Sequence, residues 1–144
     1  MREDAKPVQV DVISHVDDRG FLYQIYRDHN FPEVKRIYVV GNYARGVIRG
    51  LHRHDEEWKA YFLVSGTAKF IAADKTGIVT TYILSTTKPS ILIVPPSYSH
   101  GWISLTDNTV LIGLSNKTLQ ESLNDDFRED PFKYGKDVWE TKPR

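Results

Sequence analysis

Apolar residues in this chain come in short runs. No window of about a dozen residues keeps them on a helical period. The runs are Phe21 to Tyr26, Arg36 to Val40, Tyr61 to Val64, Lys69 to Ala73, Val79 to Leu84, Ile91 to Val94 and Val110 to Leu114. Each is rich in Val, Ile, Tyr, Phe or Thr and bounded by Gly, Pro, Asp, Asn or Ser, which is strand chemistry. Turn signals stand at Asp17–Gly20, Ser65-Gly66, Asp74–Gly77 and Pro95–Ser97. Thr118 to Asp126 is the one stretch with some helical character. Many short strands with regular turns predict an all-β sandwich or barrel. The 144 residues fit a single domain, 1–144. In the tail, about 120–144, Phe127, Phe132, Tyr134 and Trp139 predict packing against the barrel.

Charge and cysteine usage remove whole classes of function. Nineteen basic residues balance 19 acidic ones, so no global field draws the chain to nucleic acid or an anionic membrane. There is no cysteine, hence no disulfide, thiolate catalysis or Cys-ligated zinc. MREDAKPVQV has no apolar signal region, and no run reaches membrane-spanning length. The expectation is a cytoplasmic protein.

Three of the five histidines fall in two short stretches. Gly46 is followed by five residues, His52-x-His54, four residues, Lys59, six residues and Gly66; Pro95-Pro96-Ser97-Tyr98-Ser99-His100-Gly101-Trp102 follows later. On a strand, His52 and His54 project to one face. This frame resembles the two cupin motifs and implies a double-stranded β-helix, or jelly-roll, barrel with His52, His54, Lys59 and His100 at its mouth. In that frame Lys59 stands where a metal site would place its carboxylate. An ammonium there repels a cation by about 4 kcal/mol at about 4 Å and intermediate dielectric. The expectation is therefore no metal and no cofactor, in a cup that favours an anion or a developing oxyanion. Glu56 and Glu57 are the carboxylates near enough in sequence to act as ligands instead.

Asp18-Arg19-Gly20-Phe21, Arg49-Gly50-Leu51-His52, Lys59 ahead of Gly66, and Pro95 to Trp102 together resemble the dTDP-4-dehydrorhamnose 3,5-epimerase family. The resemblance runs from about Asp17 to the end. It implies a homodimeric cupin that epimerises a nucleotide-linked 4-keto-6-deoxy sugar without metal. The partners are then a nucleotide-diphosphate sugar and a second copy of the chain. It makes His52 the base that removes a proton beside the ketone, and Lys59 the stabiliser of the enolate oxygen. It puts His54 and His100 in the same catalytic group, with Trp102 where the family has phenylalanine. Substrate contacts then fall to Arg19, Gln24, Asn42, Arg49 and Tyr98. The residue types suit the reaction: histidine titrates near neutrality, a buried lysine is a preorganised cation, and arginine binds diphosphate in bidentate fashion.

The chain also departs from that family. Gln24 stands where glutamate is usual, and His54 where glutamine is usual. The stretch after Ser115 reads Asn116-Lys117-Thr118-Leu119 and lacks the family's proton-donating tyrosine, for which Tyr98, Tyr43 and Tyr134 are candidates. Asp74 and Asp137 are candidates for the carboxylate that orients the base. Arg49 to His54 and Val34 to Tyr38 are also similar to the dTDP-sugar 3,4-ketoisomerases, which makes ketone migration the alternative reaction. A non-catalytic sugar-binding cupin is the alternative of a different class. Elsewhere, His15 and His29 read as exposed turn residues, Asp55-Glu56-Glu57 as a solvated loop, Trp58 as barrel packing and Trp139 as an anchor for the tail.

Overall fold

A computed structural model describes residues 5–25 and 31–144. The described strands are β1 (Val8–Asp11), β2 (Ile13–Asp17), β3 (Gly20–Gln24), β4 (Arg36–Asn42), β5 (Ile48–Arg53), β6 (Lys59–Ser65), β7 (Thr67–Ala73), β8 (Val79–Ser85), β9 (Ser90–Val94), β10 (Ser99–Ser104), β11 (Thr109–Ser115) and β12 (Phe127–Arg128). One short helix, α1 (Leu119–Leu123), and a 3-10 turn at Asp137–Trp139 complete the order. The helix is held by a capping box: Thr118 Oγ1 accepts from Glu121 N–H, and the Glu121 carboxylate accepts from Thr118 N–H. Tyr26 and His29 lie outside the described residues. His15 is exposed but sits within β2 rather than in a turn.

Two five-stranded antiparallel sheets face one another, in the orders β1-β9-β6-β11-β4 and β12-β5-β10-β7-β8. This is the expected all-β jelly roll. β2 and β3 form a separate hairpin. Side-chain alternation decides what each sheet offers to the space between them. On β6, Tyr61 and Leu63 point inward and pack with Phe70, Trp102 and Leu111. Ala60, just before Tyr61 and on the other face, joins Phe31, Trp58, Ile91, Ile93 and Leu114 in a second cluster. Trp58 is thus a packing residue, as expected.

The tail covers the second sheet. Trp139 is buried against Leu51 and Ile71, and its indole N–H donates to Pro131 O at 2.8 Å. β12 pairs with β5, setting Arg128 opposite His52. Burial of one aromatic anchor of this kind is worth about 3–5 kcal/mol against truncation. The tail therefore belongs to the folded body, and it brings residues 125–128 to the open end of the barrel.

Two glycines let the strands approach beside that opening. Gly50 has φ +125°, and a Cβ there would meet Gly101 Cα at 2.7 Å. Any side chain at Gly50 would drive β5 from β10 and carry His52 with it.

Candidate functional site

A cavity of about 520 Å³ opens between the sheets. Its walls come from Arg36 and Tyr38 on β4, Arg49 and His52 on β5, Lys59 and Tyr61 on β6, and His100 and Trp102 on β10. His54 follows β5, and Leu119, Ser122 and Asp126 close the remaining side. The structure therefore brings His52, His54, Lys59 and His100 into one cavity. Parity explains the selection: Lys59 and Tyr61, and likewise Arg36 and Tyr38, are two apart on a strand and share its inner face.

At the rim, His52 Nδ1 lies 3.3 Å from Asp126 Oδ1. A carboxylate only accepts, so Nδ1 carries the proton and Nε2 keeps its lone pair. Burial lowers the His52 pKa, while Asp126 pulls it back upward; the net direction is below the ordinary histidine value. Burial also works against the charge on Asp126, but hydrogen bonds from Arg128 and His52 outweigh it and hold that carboxyl low. The carboxylate beside His52 is Asp126, and neither Asp74 nor Asp137 takes that place. Asp74 instead caps its own turn by accepting from Thr76 and Ile78. Asp137 lies in the tail's 3-10 turn.

On the floor, Glu57 is fully buried, which corrects its reading as part of a solvated loop. Its Oε1 accepts from Ser115 Oγ at 2.5 Å and lies 3.1 Å from both Arg36 Nη2 and Lys59 Nζ. Its Oε2 accepts from Ser122 Oγ at 2.7 Å and lies 3.3 Å from His54 Nδ1. Burial alone would raise this carboxyl's pKa. Ser115, Lys59, Ser122 and His54 together outweigh burial, and Glu57 is held ionised below its ordinary value. His54 Nδ1 also sits 2.5 Å from the Asp125 carbonyl oxygen. Both of its neighbours are acceptors, so His54 carries a proton on Nδ1.

His100 is different. Its Nδ1 donates to Tyr98 O at 3.1 Å, and its Nε2 accepts from the Tyr61 hydroxyl at 2.8 Å. Burial drives its pKa down to about 3, so the ring is neutral. With both nitrogens occupied, His100 works as a wall residue that orients Tyr61, and this geometry speaks against a proton-transfer role. The Tyr61 hydroxyl is held protonated by burial, then by its neighbour Tyr38. The Tyr38 hydroxyl in turn lies 3.3 Å from Lys59 Nζ.

Of the expected substrate contacts, Arg49 lines the cavity. Asn42 is buried behind it: its oxygen accepts from Arg49 Nε at 2.7 Å, and its nitrogen donates to Val47 O and Ser104 Oγ. Asn42 thus positions Arg49 and has no free group for a ligand. Arg19 and Gln24 lie on the β2–β3 hairpin, outside the lining of this chain's cavity; Arg19 is paired with Asp17. Tyr98 packs against the core cluster and offers the site its carbonyl. Tyr43 is 94% exposed and Tyr134 packs with the tail, so neither reaches the cavity. Among the described residues, no three His, Asp or Glu side chains converge as a metal cage.

Sequence reasoning missed Arg36, Tyr38, Tyr61 and Asp126 as site residues, and named Glu57 only as an alternative metal ligand. The signal for some of them was present as alternation, in Arg36-x-Tyr38 and in Glu57-x-Lys59-x-Tyr61. Asp126 had no local signal, because it meets His52 across 74 positions of sequence.

The family model described as dTDP-4-dehydrorhamnose 3,5-epimerase matches residues 5–128. The spore coat polysaccharide biosynthesis protein SpsL of Bacillus subtilis is 28% identical over 108 residues, covering 70% of this chain and 72% of that protein. The dTDP-4-dehydrorhamnose 3,5-epimerase of Bacillus anthracis, solved with TDP and PPi bound, has a TM-score of 0.82 at 21% identity, with 95% of this chain and 86% of that chain covered. A 3,4-ketoisomerase from Helicobacter canadensis has a TM-score of 0.74 at 19% identity, with 92% and 96% covered.

Proposed function

Because the chain belongs to the dTDP-4-dehydrorhamnose 3,5-epimerase family, we propose that it epimerises a dTDP-linked 4-keto-6-deoxy sugar through an enolate. One observation carries the reading. A histidine with its lone-pair nitrogen free, oriented by Asp126, faces the same cavity as the buried ammonium of Lys59. A proton beside a ketone needs both parts: a base near neutral pKa, and a fixed positive charge where the enolate oxygen develops. In this reading His52 removes the proton, Lys59 receives the oxyanion, and Arg49 holds the diphosphate. His54 stands as an auxiliary base. The test is incubation with dTDP-4-keto-6-deoxyglucose in deuterated water, followed by NMR. Deuterium at C3 or C5 with inversion is expected; a substrate returned without deuterium and with its ketone in place overturns the reading in favour of a sugar-binding cupin.

The second reading, 3,4-ketoisomerase, has its own support. His54 places a second imidazole in the cavity, two residues from the first. The chain also spans 96% of the Helicobacter canadensis ketoisomerase, against 86% of the Bacillus anthracis epimerase. Migration of the ketone to C3 in the same experiment would decide for it.

The proposal includes a cytoplasmic homodimer. Phe21 and Leu22 on the β2–β3 hairpin and Ile37 and Val39 on the edge strand β4 are exposed apolar side chains that a second copy would cover. Arg19 and Gln24, outside their own cavity, would then have a nucleotide within reach only across that interface. Sedimentation at micromolar concentration checks it, with a monomer as the opposing result.

A further inference from the structure

The cavity has a cationic pole at each end, with His52 between them. Lys59 stands two residues before Tyr61 on β6, and the Tyr61 hydroxyl meets His100. His100 is opposite His52 across β10 and β5, and Trp102 is opposite Arg49 further along the same pair. Arg49 thus marks one end, and Lys59 with Arg36 the other. Arg49 is exposed, and its guanidinium donates to neutral acceptors, Asn42 Oδ1 at 2.7 Å and Gly41 O at 3.1 Å. Neither contact cancels its charge.

The floor is built differently. Arg36 Nη2 and Lys59 Nζ both lie 3.1 Å from one carboxylate oxygen, Glu57 Oε1. A guanidinium, an ammonium and a carboxylate sum to one positive charge. The ammonium has one other polar partner among the described residues, the Tyr38 hydroxyl at 3.3 Å, so one of its three N–H groups is left over. Arg36 Nε and Nη1 are buried and have no hydrogen-bond partner among the described residues. Without the carboxylate, the floor would be a dication with donors to spare, which is the chemistry of a phosphate site.

We infer that Glu57 is a specificity-determining residue: by cancelling one of the two floor cations it bars the diphosphate from Lys59, and so fixes which way round the substrate enters. The assignment rests on the enolate reading above for the oxygen that Lys59 receives. A ketone oxygen arrives neutral and gains one negative charge as the enolate forms, which a single uncancelled ammonium with one free N–H matches. A diphosphate carries more than one negative charge and is repelled by a carboxylate set between the cations. It therefore settles at Arg49, whose acceptor neighbours are neutral. The sugar then lies across His52 with its ketone toward Lys59.

The test is the binding of inorganic pyrophosphate to wild type and Glu57→Gln, followed by calorimetry at one ionic strength, with melting temperature as the check on folding. The variant is expected to bind pyrophosphate about ten-fold or more tightly than wild type, because one like charge has left a partly buried site. Adding Lys59→Met to Glu57→Gln is expected to abolish that gain. A merely structural Glu57 would lower stability and give no gain in affinity. If Glu57→Gln fails to fold, the same change is read where the carboxylate has already lost one cation. Arg36→Gln/Glu57→Gln is then expected to bind pyrophosphate about ten-fold more tightly than Arg36→Gln.

Pyrophosphate binding that is unchanged or weaker in a folded Glu57→Gln overturns the assignment, as does a gain that persists without Lys59. Equal affinities in the two Arg36 variants overturn it as well. Binding is read apart from turnover, so the two readings fail separately. Deuterium exchange by wild type with no tightening in the variant overturns the assignment and leaves the enolate reading standing. A wild-type protein that neither exchanges deuterium nor moves the ketone overturns the enolate reading, while tightening in Glu57→Gln still supports the exclusion of phosphate from the floor.

Discussion

The cavity holds two histidine–carboxylate pairs drawn from one His-x-His segment, and they live in different solvents. His52 and Asp126 sit at the rim, with side chains 36% and 18% exposed. His54 and Glu57 sit on the floor, at 7% and 0%. The rim carboxylate has one further partner, Arg128, which is itself largely exposed. The floor carboxylate is bound by Arg36, Lys59, Ser115 and Ser122 as well as His54. A base must gain and lose a proton in every turnover, which favours the pair that water can reach. A carboxylate with every lone pair engaged is suited to holding cations in place. The two histidine–carboxylate pairs thus differ in hydration, and the proposed function gives the working role to the one at the rim.

The contrast is broken most directly by removing the bases in turn. His52→Ala is expected to lower proton exchange by about 10²–10⁴-fold, read by deuterium incorporation. His54→Ala is expected to cost much less; the reverse order would make the floor pair the working one. Lys59→Met is expected to lower turnover by about 10²–10³-fold with TDP affinity retained. A loss confined to affinity would mean that Lys59 binds phosphate and does no more.

Stability should separate the pairs in the opposite sense. Glu57→Ala leaves Arg36 and Lys59 uncompensated in a buried site, and a loss of about 3–5 kcal/mol is expected in chemical denaturation. Asp126→Ala, at the rim, is expected to cost about 1 kcal/mol or less. Equal costs would erase the distinction.

Acid sharpens it further. His100 has a folded pKa of about 3 against an ordinary value of 6.5, so the unfolded chain binds more protons between those limits. Its contribution is whole above pH 6.5 and declines as pH falls toward 3, by up to about 1.4 kcal/mol per pH unit. Glu57 adds to the loss at the acid end, since its folded pKa also lies below the unfolded one. Denaturation at stepped pH should show this decline, flattened in His100→Asn.

The smallest effect expected is on the pH profile of kcat/KM. Its acid limb follows His52 and should lie below 6.5, because burial depresses that base. Asp126→Asn removes the interaction that raises the His52 pKa, so the limb should move to still lower pH. A limb that does not move would detach Asp126 from the base.

The elements and part of the site were legible because their signals are local. The short β-branched and aromatic runs became strands, and Thr118–Asp126 contains the helix Leu119–Leu123. His52, His54, Lys59 and His100 were found by spacing, and all four line the cavity. Glu57 was misread because Asp55-Glu56-Glu57 looks like a loop, and only Asp55 and Glu56 behave as one. Asn42 was read as a ligand contact from the family resemblance; here the Arg49 guanidinium and the Ser104 hydroxyl engage it.

What the sequence determined by itself is whatever the covalent chain imposes. Period-two alternation puts Lys59 with Tyr61, and Arg36 with Tyr38, whatever lies opposite them. The lack of a helical stripe excludes a bundle. Which alternating faces meet depends on sheet register and on the return of the tail, and these are settled by burial of Trp139, Phe70 and Trp102. That packing delivers Asp126 to His52, closes Ser115 and Ser122 around Glu57, and commits His100 to Tyr61. Hydration of a side chain is a property of everything packed around it. For that reason the tertiary structure alone decided which histidine can exchange protons with water and which carboxylate is held on the floor.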